Sequence, residues 1–344
     1  MKTQSVPKST HSKKPHKNRK CFHSVIDLGN HWIKSYVEGY NFLRIPSWYS
    51  KCLNNTSEKL PGHVRYVEGD RADLENTCWL IGNQAIRGGS SDLMRLVDDY
   101  TGKSSLWLEY FLGTLAHLPQ INSQMDLIVI ATCNDVERHE PGIRNNAGIH
   151  TVELGGIPCT VTIKIKAVLP EGIAALKSQS LEGAVTICDI GGGNTSISRF
   201  YNGELNGEVV VKDFGAEYLI EKIAYSSELK SIIKQAPNKD IINRSLERGI
   251  KSRNKVPFLG YGNSDFNFYS VYQTQLQDFI ECRLREVVKK LEEYKLAGDK
   301  ILVIGGGSKL PLLAAALRKK DFLISDNGAF DNLIGLVGEV DGSR

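Results

Sequence analysis

Apolar residues fall in short runs separated by polar turns, and the spacing shifts between the strand period of two and the helical 3.6. Residues 22–28 (FHSVIDL) form an apolar, β-branched run. Gly29 and Asn30 separate it from a second such stretch at 32–37. Two strand runs around a Gly-Asn pair predict a hairpin. A third strand is expected at 41–45, closed by Pro46. Residues 50–76 are polar and read as loop, with a short strand at 64–68. Further strands are expected at 77–81, 126–131, 151–154 and 160–167, and helices at 83–87, 104–118 and 136–146. In the second of these helices apolar residues recur at 106, 108, 111, 112, 115 and 118, which is a helical spacing.

A second unit begins near residue 169. A helix is expected at 171–177 and a buried strand at 183–189. A Gly-rich turn at 191–193 leads to a strand at 195–201, and Asn202 and Gly203 turn the chain into 208–213. The pattern of 22–45 thus recurs at 183–213: a buried strand ending in Asp, a tight Gly turn, a second strand, a turn and a third strand. That is an internal duplication of architecture. Helices at 215–226, 238–250 and 271–296 follow. A strand at 300–304 then enters three glycines, with a helix from 309 and a last short helix at 330–337.

Composition narrows the class. The 344 residues are 41% hydrophobic and 24% charged, which suits a soluble protein of two domains and excludes a collagen, a rod or a disordered chain. No apolar run of 18 residues and no apolar signal region are present, so neither a membrane span nor a secretory leader is expected. The seven cysteines (21, 52, 78, 133, 159, 188 and 282) are scattered, and no C-x-x-C exists. They read as free thiols in a reducing cytoplasm rather than a zinc knuckle. Residues 1–20 hold seven Lys and Arg and no acid, so a basic tail precedes a mildly acidic body. Residues 1–21 read as disordered, because they bury too little apolar surface to offset the entropy of ordering. Such a tail is either a solubilising extension or an electrostatic arm for nucleic acid or an acidic partner.

Candidate chemistry lies in three Gly-rich turns, each after a buried strand: DLGN at 27–30, DIGGGNT at 189–195 and IGGGS at 304–308. Glycine permits positive φ and close approach to a ligand. Successive N–H groups in such turns form anion-binding nests. Carboxylates beside them suit Mg²⁺. Any one of these turns alone is what an ordinary hairpin would show. The three in this order, with Asp heading the first two, point to a metal-bound polyphosphate. No G-x-x-x-x-G-K-[ST] is present, and the third turn lacks the G-x-G-x-x-G spacing, so neither a P-loop nor a dinucleotide fingerprint is expected.

These residues carry a resemblance. The chain resembles the ATPase superfamily that joins actin, the heat-shock chaperones and the sugar kinases. Within it the likeness is to the bacterial ParM/StbA-type plasmid segregation proteins. Residues 27–34 (DLGNHWIK) match its first phosphate motif, 189–195 the second, and 302–308 (LVIGGGS) its adenosine motif. Residues 168–174 (VLPEGIA) match the segment between the lobes, where the family places a glutamate after a proline. Residues 79–86 (WLIGNQAI) and 326–335 resemble a first-lobe segment and the terminal helix. One departure is visible: the strand at 126–131 runs into Thr132, Cys133 and Asn134, where the family often has a Gly-Leu-Pro-like turn.

The resemblance implies an α/β, two-lobed, ribonuclease H-like ATPase fold with a nucleotide cleft between the lobes. Lobe I would span 22–168, with 326–344 returning to it, and lobe II 169–325. It implies ATP and Mg²⁺, with Asp27 and Asp189 at the metal. Gly29, Asn30, Gly191, Gly192, Gly193 and Asn194 would lie along the phosphates, with Lys34 on the β- and γ-phosphates. Gly215 and Glu217 would line the nucleotide, and Gly305, Gly306, Gly307 and Ser308 the adenosine. Glu171 and Asp189 carry the catalytic expectation. Glu171 would orient or deprotonate the attacking water, although an acid after Pro170 also suits a helix start. The implied function is a filament-forming ATPase serving plasmid segregation, self-associating, with a DNA-binding adaptor and no membrane partner. A small-molecule kinase on the same fold is the alternative. A chaperone is disfavoured, because no peptide-binding domain follows the nucleotide unit.

Overall fold

The repeated strand–turn–strand pattern builds two sheets. A computed structural model of the chain describes residues 21–52, 59–88, 92–96 and 101–340. The expected basic tail therefore lies outside the described residues, except that Cys21 already opens the first strand, opposite Asp126.

The first sheet takes β1 (Cys21–Leu28), β2 (Trp32–Val37), β3 (Leu43–Pro46), β4 (Trp48–Lys51), β5 (His63–Gly69), β6 (Cys78–Ile81), β7 (Met94–Arg95), β8 (Gln124–Cys133), β9 (Gly148–Leu154) and β10 (Ile157–Pro170). Their spatial order is β3-β2-β1-β8-β10-β9-β5-β6-β4-β7. β1, β8 and β10 run parallel, and β2 and β3 fold back antiparallel beside β1. β1 and β8 are near-continuous apolar runs because both their faces are covered. β2 buries alternate positions, Ile33, Ser35 and Val37. Pro46 is tolerated because β3 is an edge strand.

The second sheet begins with β11 (Ala184–Ile190), β12 (Thr195–Tyr201), β13 (Glu204–Leu205) and β14 (Val210–Lys212). A separate hairpin, β15 (Lys251–Arg253) and β16 (Val256–Phe258), precedes β17 (Lys300–Ile304) and β18 (Leu323–Ile324). The order is β13-β12-β11-β17-β18, with β11, β17 and β18 parallel. An antiparallel hairpin leads into parallel strands in the same order in both sheets, so the duplication read from sequence is a duplication of topology.

Helices α1 (Asn83–Arg87), α2 (Gly102–Ser105), α3 (Trp107–Leu115) and α4 (Val136–Arg144) belong with the first sheet. α5 (Ile173–Ser178) follows it. With the second sheet go α6 (Ala216–Tyr225), α7 (Ser227–Ile233), α8 (Lys239–Arg248), α9 (Tyr269–Phe279), α10 (Arg285–Leu296) and α11 (Leu313–Arg318). α12 (Asp331–Val340) is the last helix. α5 and α12 form an apolar layer between the sheets. Ile173 and Leu176 of α5 and Leu333 and Leu336 of α12 meet Val25 and Ile130 of the first sheet and Ile187, Leu302 and Ile304 of the second.

Several elements differ from expectation. The helix expected over 104–118 breaks at Leu106, which takes φ −107° and ψ 15°, and so becomes α2 and α3. In the stretch 50–76, read mostly as loop, the short strand expected at 64–68 is β5, whereas the first residues, expected as loop, close β4; the partners of both are strands distant in sequence, which local pattern does not reveal. β15 and β16 turn on Asn254 and Lys255, both at positive φ, without the Gly that would have advertised the turn. The helix expected at 271–296 is real but passes through a π-helical turn at Ile280–Leu284.

Gly335 sets the closeness of α5 and α12. A Cβ there would lie 1.9 Å from the Ala174 carbonyl oxygen and 2.9 Å from the Ser178 nitrogen, both backbone atoms that cannot swing aside. Gly335→Ala is therefore expected to push the helices apart and cost about 1–3 kcal/mol. The urea midpoint should fall with an unchanged slope. An unchanged midpoint would show that this contact does not limit the packing.

Candidate functional site

β1 and β11 each end in an aspartate, and the fold brings the two ends to the same seam. Asp27 is 1% exposed and sits in register with Lys34 across the first hairpin. Lys34 Nζ donates to Asp27 Oδ2 at 2.8 Å. The other oxygen, Asp27 Oδ1, is buried without a hydrogen-bond partner. Asp189 holds the same register position in the second hairpin, but there the opposite residue is Ser196. The duplicated hairpins therefore carry one lysine between them.

Asn332 of α12 joins the two halves. Its Nδ2 donates to Asp189 Oδ2 at 3.1 Å and to Asp27 Oδ2 at 3.5 Å. Its Oδ1 accepts from Gly172 N at 2.8 Å, which fixes the turn next to Glu171. Glu171 follows β10; its own N–H donates to the Cys133 carbonyl at 2.9 Å. Its carboxylate accepts from Lys103 Nζ at 2.8 Å, and Lys103 also donates to Asn134 Oδ1 at 3.2 Å. The departing segment at 132–134 is thus the place where the 171 turn and Lys103 are anchored.

Electrostatics follow from this crowding. Burial, the largest influence, pushes the Asp189 carboxyl up to about 7; Glu171 and Asp27 add to the rise, while Lys34 and Asn332 oppose it. Burial disfavours the Lys34 ammonium, yet Asp27 and Asp189 outweigh it and hold its pKa above the ordinary lysine value. Lys103 is likewise raised despite burial, chiefly by Glu171 and then Asp27.

At the mouth, His31 at the tip of the first hairpin reaches across to the second. A Cβ on Gly192 would lie 2.9 Å from His31 Nδ1, and one on Gly193 2.9 Å from His31 Cε1. His31 Nε2 meets Glu217 Oε2 at 2.6 Å, and Arg95 Nη1 meets Glu217 Oε1 at 3.3 Å. Burial pushes the Glu217 carboxyl up, but the His31 hydrogen bond and charge, with Arg95, override it and hold the group at about 2.

The Gly turns divide their work. The Gly191 N–H closes its own turn onto the Asn194 carbonyl at 2.9 Å. Among the described residues no backbone carbonyl accepts from the amides of Gly192, Gly193 or Asn194. Ala216 N and Glu217 N donate to the Gly191 and Gly192 carbonyls at 2.9 Å each, and Gly215 gives the close approach this needs, since its Cβ would lie 2.5 Å from both oxygens. Gly215 thus fastens α6 to the hairpin. In the third turn, Gly305 at φ +84° lets the chain approach Asp189, whose Oδ1 would be 2.1 Å from a Cβ there. Gly305 N donates to Asp331 Oδ2 at 3.4 Å. Gly307 faces Ile190, and Ser308 is fully buried with its hydroxyl on the Gly305 carbonyl at 2.8 Å. Of the four residues expected at adenosine, only Gly306 is exposed, and nothing lies within 4 Å of its Cβ position. The Ser308 hydroxyl locks that turn.

The residue set fits a metal-bound polyphosphate on one observation above others: the buried Asp27 Oδ1 has no hydrogen-bond partner, while Oδ2 of the same group meets Lys34 and the Asn332 amide that also reaches Asp189. Sequence reasoning missed Lys103, Arg95 and Asn332. The only signal for Asn332 was a polar pair, Asp331 and Asn332, heading a helix whose next residues, 333–338, carry no polar side chain.

The arrangement defines an actin-like, two-lobed α/β fold, with a cleft between the lobes. Within that class the chain is similar to ParM. It superposes on ParM of Bacillus thuringiensis with ATP at a TM-score of 0.70, covering 94% of this chain and 99% of that one, with 16% identity. The actin-like protein Alp7A gives 0.69 over 94% and 97% of the two chains at 14% identity. Ta0583, an archaeal actin homologue, gives 0.67 over 94% and 100% at 12% identity. No protein-family model matches the sequence, and no curated protein does.

The raised Asp189 sets a pH dependence. A carboxyl whose folded-state pKa lies near 7, against an ordinary 3.8, favours the fold below 3.8, and that contribution is lost as pH rises toward 7. Asp189→Asn cannot ionise and keeps it. Without nucleotide at pH 8 this variant should be more stable than the wild type by about 1–3 kcal/mol, each pKa unit being worth about 1.4 kcal/mol. The gain should vanish near pH 4. Thermal melts of both proteins across that range test this; a difference independent of pH would remove Asp189 from the crowded carboxylate set.

Proposed function

We propose that this chain is an actin-like ATPase that binds Mg-ATP between its lobes and assembles into nucleotide-dependent filaments in the cytoplasm, serving plasmid DNA segregation through a DNA-binding adaptor. The observation that carries the reading is the meeting of Asp27, Asp189 and the Glu171 turn on the single side chain of Asn332. Three titratable carboxylates from three elements are expensive to bring together, and a site for a cation and a polyanion explains the arrangement. The ParM structures that share the fold include forms with ATP, AMPPNP and ADP.

Bound Mg²⁺ would neutralise phosphate charge and orient the terminal phosphate. Asp27, through its unpaired Oδ1, and Asp189 would hold the cation, directly or through its waters. Lys34 would give the phosphates a point charge, and the amides of Gly192, Gly193 and Asn194 would line them. Glu171 would position the attacking water, and Lys103 fixes the orientation of that carboxylate. Assembly driven by nucleotide requires the assembled conformation to bind it better. Contacts that repeat head to tail without closing a ring give an open filament.

Glu171→Ala should retain ATP binding while phosphate release falls by about 100-fold or more. Polymer measured by pelleting with Mg-ATP should persist longer than for the wild type. Hydrolysis at the wild-type rate would remove Glu171 from the chemistry. ATP turnover that needs a small metabolite, with no pelletable polymer, would replace the filament reading with a kinase.

A further inference from the structure

Three soft ligands that are remote in sequence meet on the far part of the first sheet. Cys52 immediately follows β4, Cys78 opens β6 and His63 opens β5. β4, β6 and β5 are adjacent strands, separated from β1 and its aspartate by β8, β10 and β9. Register places the three side chains together. Cys52 N donates to the Cys78 carbonyl at 3.0 Å, continuing the Lys51–Trp79 pair by one residue, so the two cysteines face each other. Cys78 pairs with Arg65 on β5, and His63 lies two residues from Arg65, on the same face. Trp79, Val64 and Ile81 point the other way, into the core cluster that includes α3. His63 is 3% exposed and Cys78 6%. One nitrogen of His63 and the two sulfurs all lie within 4.8 Å of one another.

We propose that Cys52, Cys78 and His63 form a zinc site, with water as the fourth ligand. Zn–S bonds of about 2.3 Å and Zn–N bonds of about 2.0 Å place tetrahedral ligand atoms about 3.5–3.8 Å apart. The present separations, none above 4.8 Å, are close to that spacing. Two thiols and an imidazole are the donors that a borderline-soft, tetrahedral d¹⁰ ion selects, and hard cations such as Mg²⁺ do not. Binding replaces two S–H bonds by two Zn–S bonds and releases two protons to solvent. The Cys78 thiol points to the Cys52 carbonyl at 3.8 Å, a weak contact. The site ties three strands whose pairing joins residues distant in sequence, and it lies apart from the Asp27 end of β1.

The test uses the reduced full chain, stripped with a chelator and titrated with Zn²⁺ against a chromophoric competitor, then with Co²⁺ as a spectroscopic probe. One equivalent of Zn²⁺ should bind, and Co²⁺ should give a thiolate-to-metal charge-transfer band with tetrahedral d–d bands. Cys78→Ser and His63→Gln should each weaken binding by more than about 100-fold, beyond what loss of an outer-shell partner gives. Cys282→Ser, at an exposed free thiol, should bind as the wild type does. Should the variants fold poorly, alkylation of the wild type decides: Zn²⁺ should protect Cys52 and Cys78 while Cys282 still reacts. No stoichiometric metal, unchanged affinity in folded variants, or equal alkylation with and without Zn²⁺ would overturn the proposal. A Cys52–Cys78 disulfide in protein purified without reductant, with no metal bound after reduction, would also overturn it and assign the pair to redox chemistry.

Discussion

The structure depends on holding negative charge at a buried seam. Asp27, Asp189 and Glu171 come from the ends of three strands or turns, and burial, with the charges of the other two, raises the pKa of Asp189. Two lysines offset them in different ways. Lys34 is delivered by its own hairpin, seven residues after Asp27, so strand register guarantees the pair. Lys103 is delivered from the start of α2 and meets Glu171. Asn332 supplies what neither cation can: a neutral amide that donates to both aspartates while its oxygen accepts from the 172 amide. Replacing it by a third cation would cancel the seam's remaining negative charge, and an apolar residue would leave the carboxylates without that donor.

Duplication explains why such a seam exists at all. Both sheets grow from an antiparallel hairpin beside parallel strands, so each presents an aspartate at the end of its first strand. Two copies facing each other give two carboxylates across a cleft. The copies then differ where function needs asymmetry. Opposite Asp27 stands Lys34, and opposite Asp189 stands Ser196. A second lysine would give two cations beside two aspartates. With one lysine, net negative charge remains, which suits an incoming divalent cation.

The legible part of this protein was whatever its neighbours in sequence dictate. The Asp-Gly hairpins, the duplication and the Pro170–Glu171 turn could be read, because turn chemistry and strand period are local. Lys103, Asn332 and the Glu217 contacts could not, since each depends on pairing across 68 to 305 residues of chain. The cysteines make the same point. Their scatter at 52 and 78 hides the fact that β4 and β6 are neighbours, with His63 one strand further. The Gly turns misled in one respect: a glycine beside a strand end signals close approach, but Gly305 and Gly307 approach Asp189 and Ile190 rather than open space.

The two ends of the interlobe contact differ in kind, and that difference decides where movement is cheap. At the base, α5 and α12 bury leucines and isoleucines against both sheets. Each such side chain contributes about 1.5–3 kcal/mol, and separating the layer would expose several at once. At the mouth, His31 and Arg95 hold Glu217, with side chains 12%, 24% and 23% exposed. Arg44 pairs with the half-exposed Glu247 farther out. Water can take over part of the hydrogen bonding of such partly exposed pairs when they separate, which it cannot do for the apolar base. Any change in lobe angle therefore pivots on the apolar base and opens or closes at the polar mouth. Asn332 lies at the pivot and His31 at the moving edge, so a ligand touching both hairpins would be felt through α12 as a change in lobe angle. On the proposed reading, that is the physical route by which a terminal phosphate would reach a filament contact.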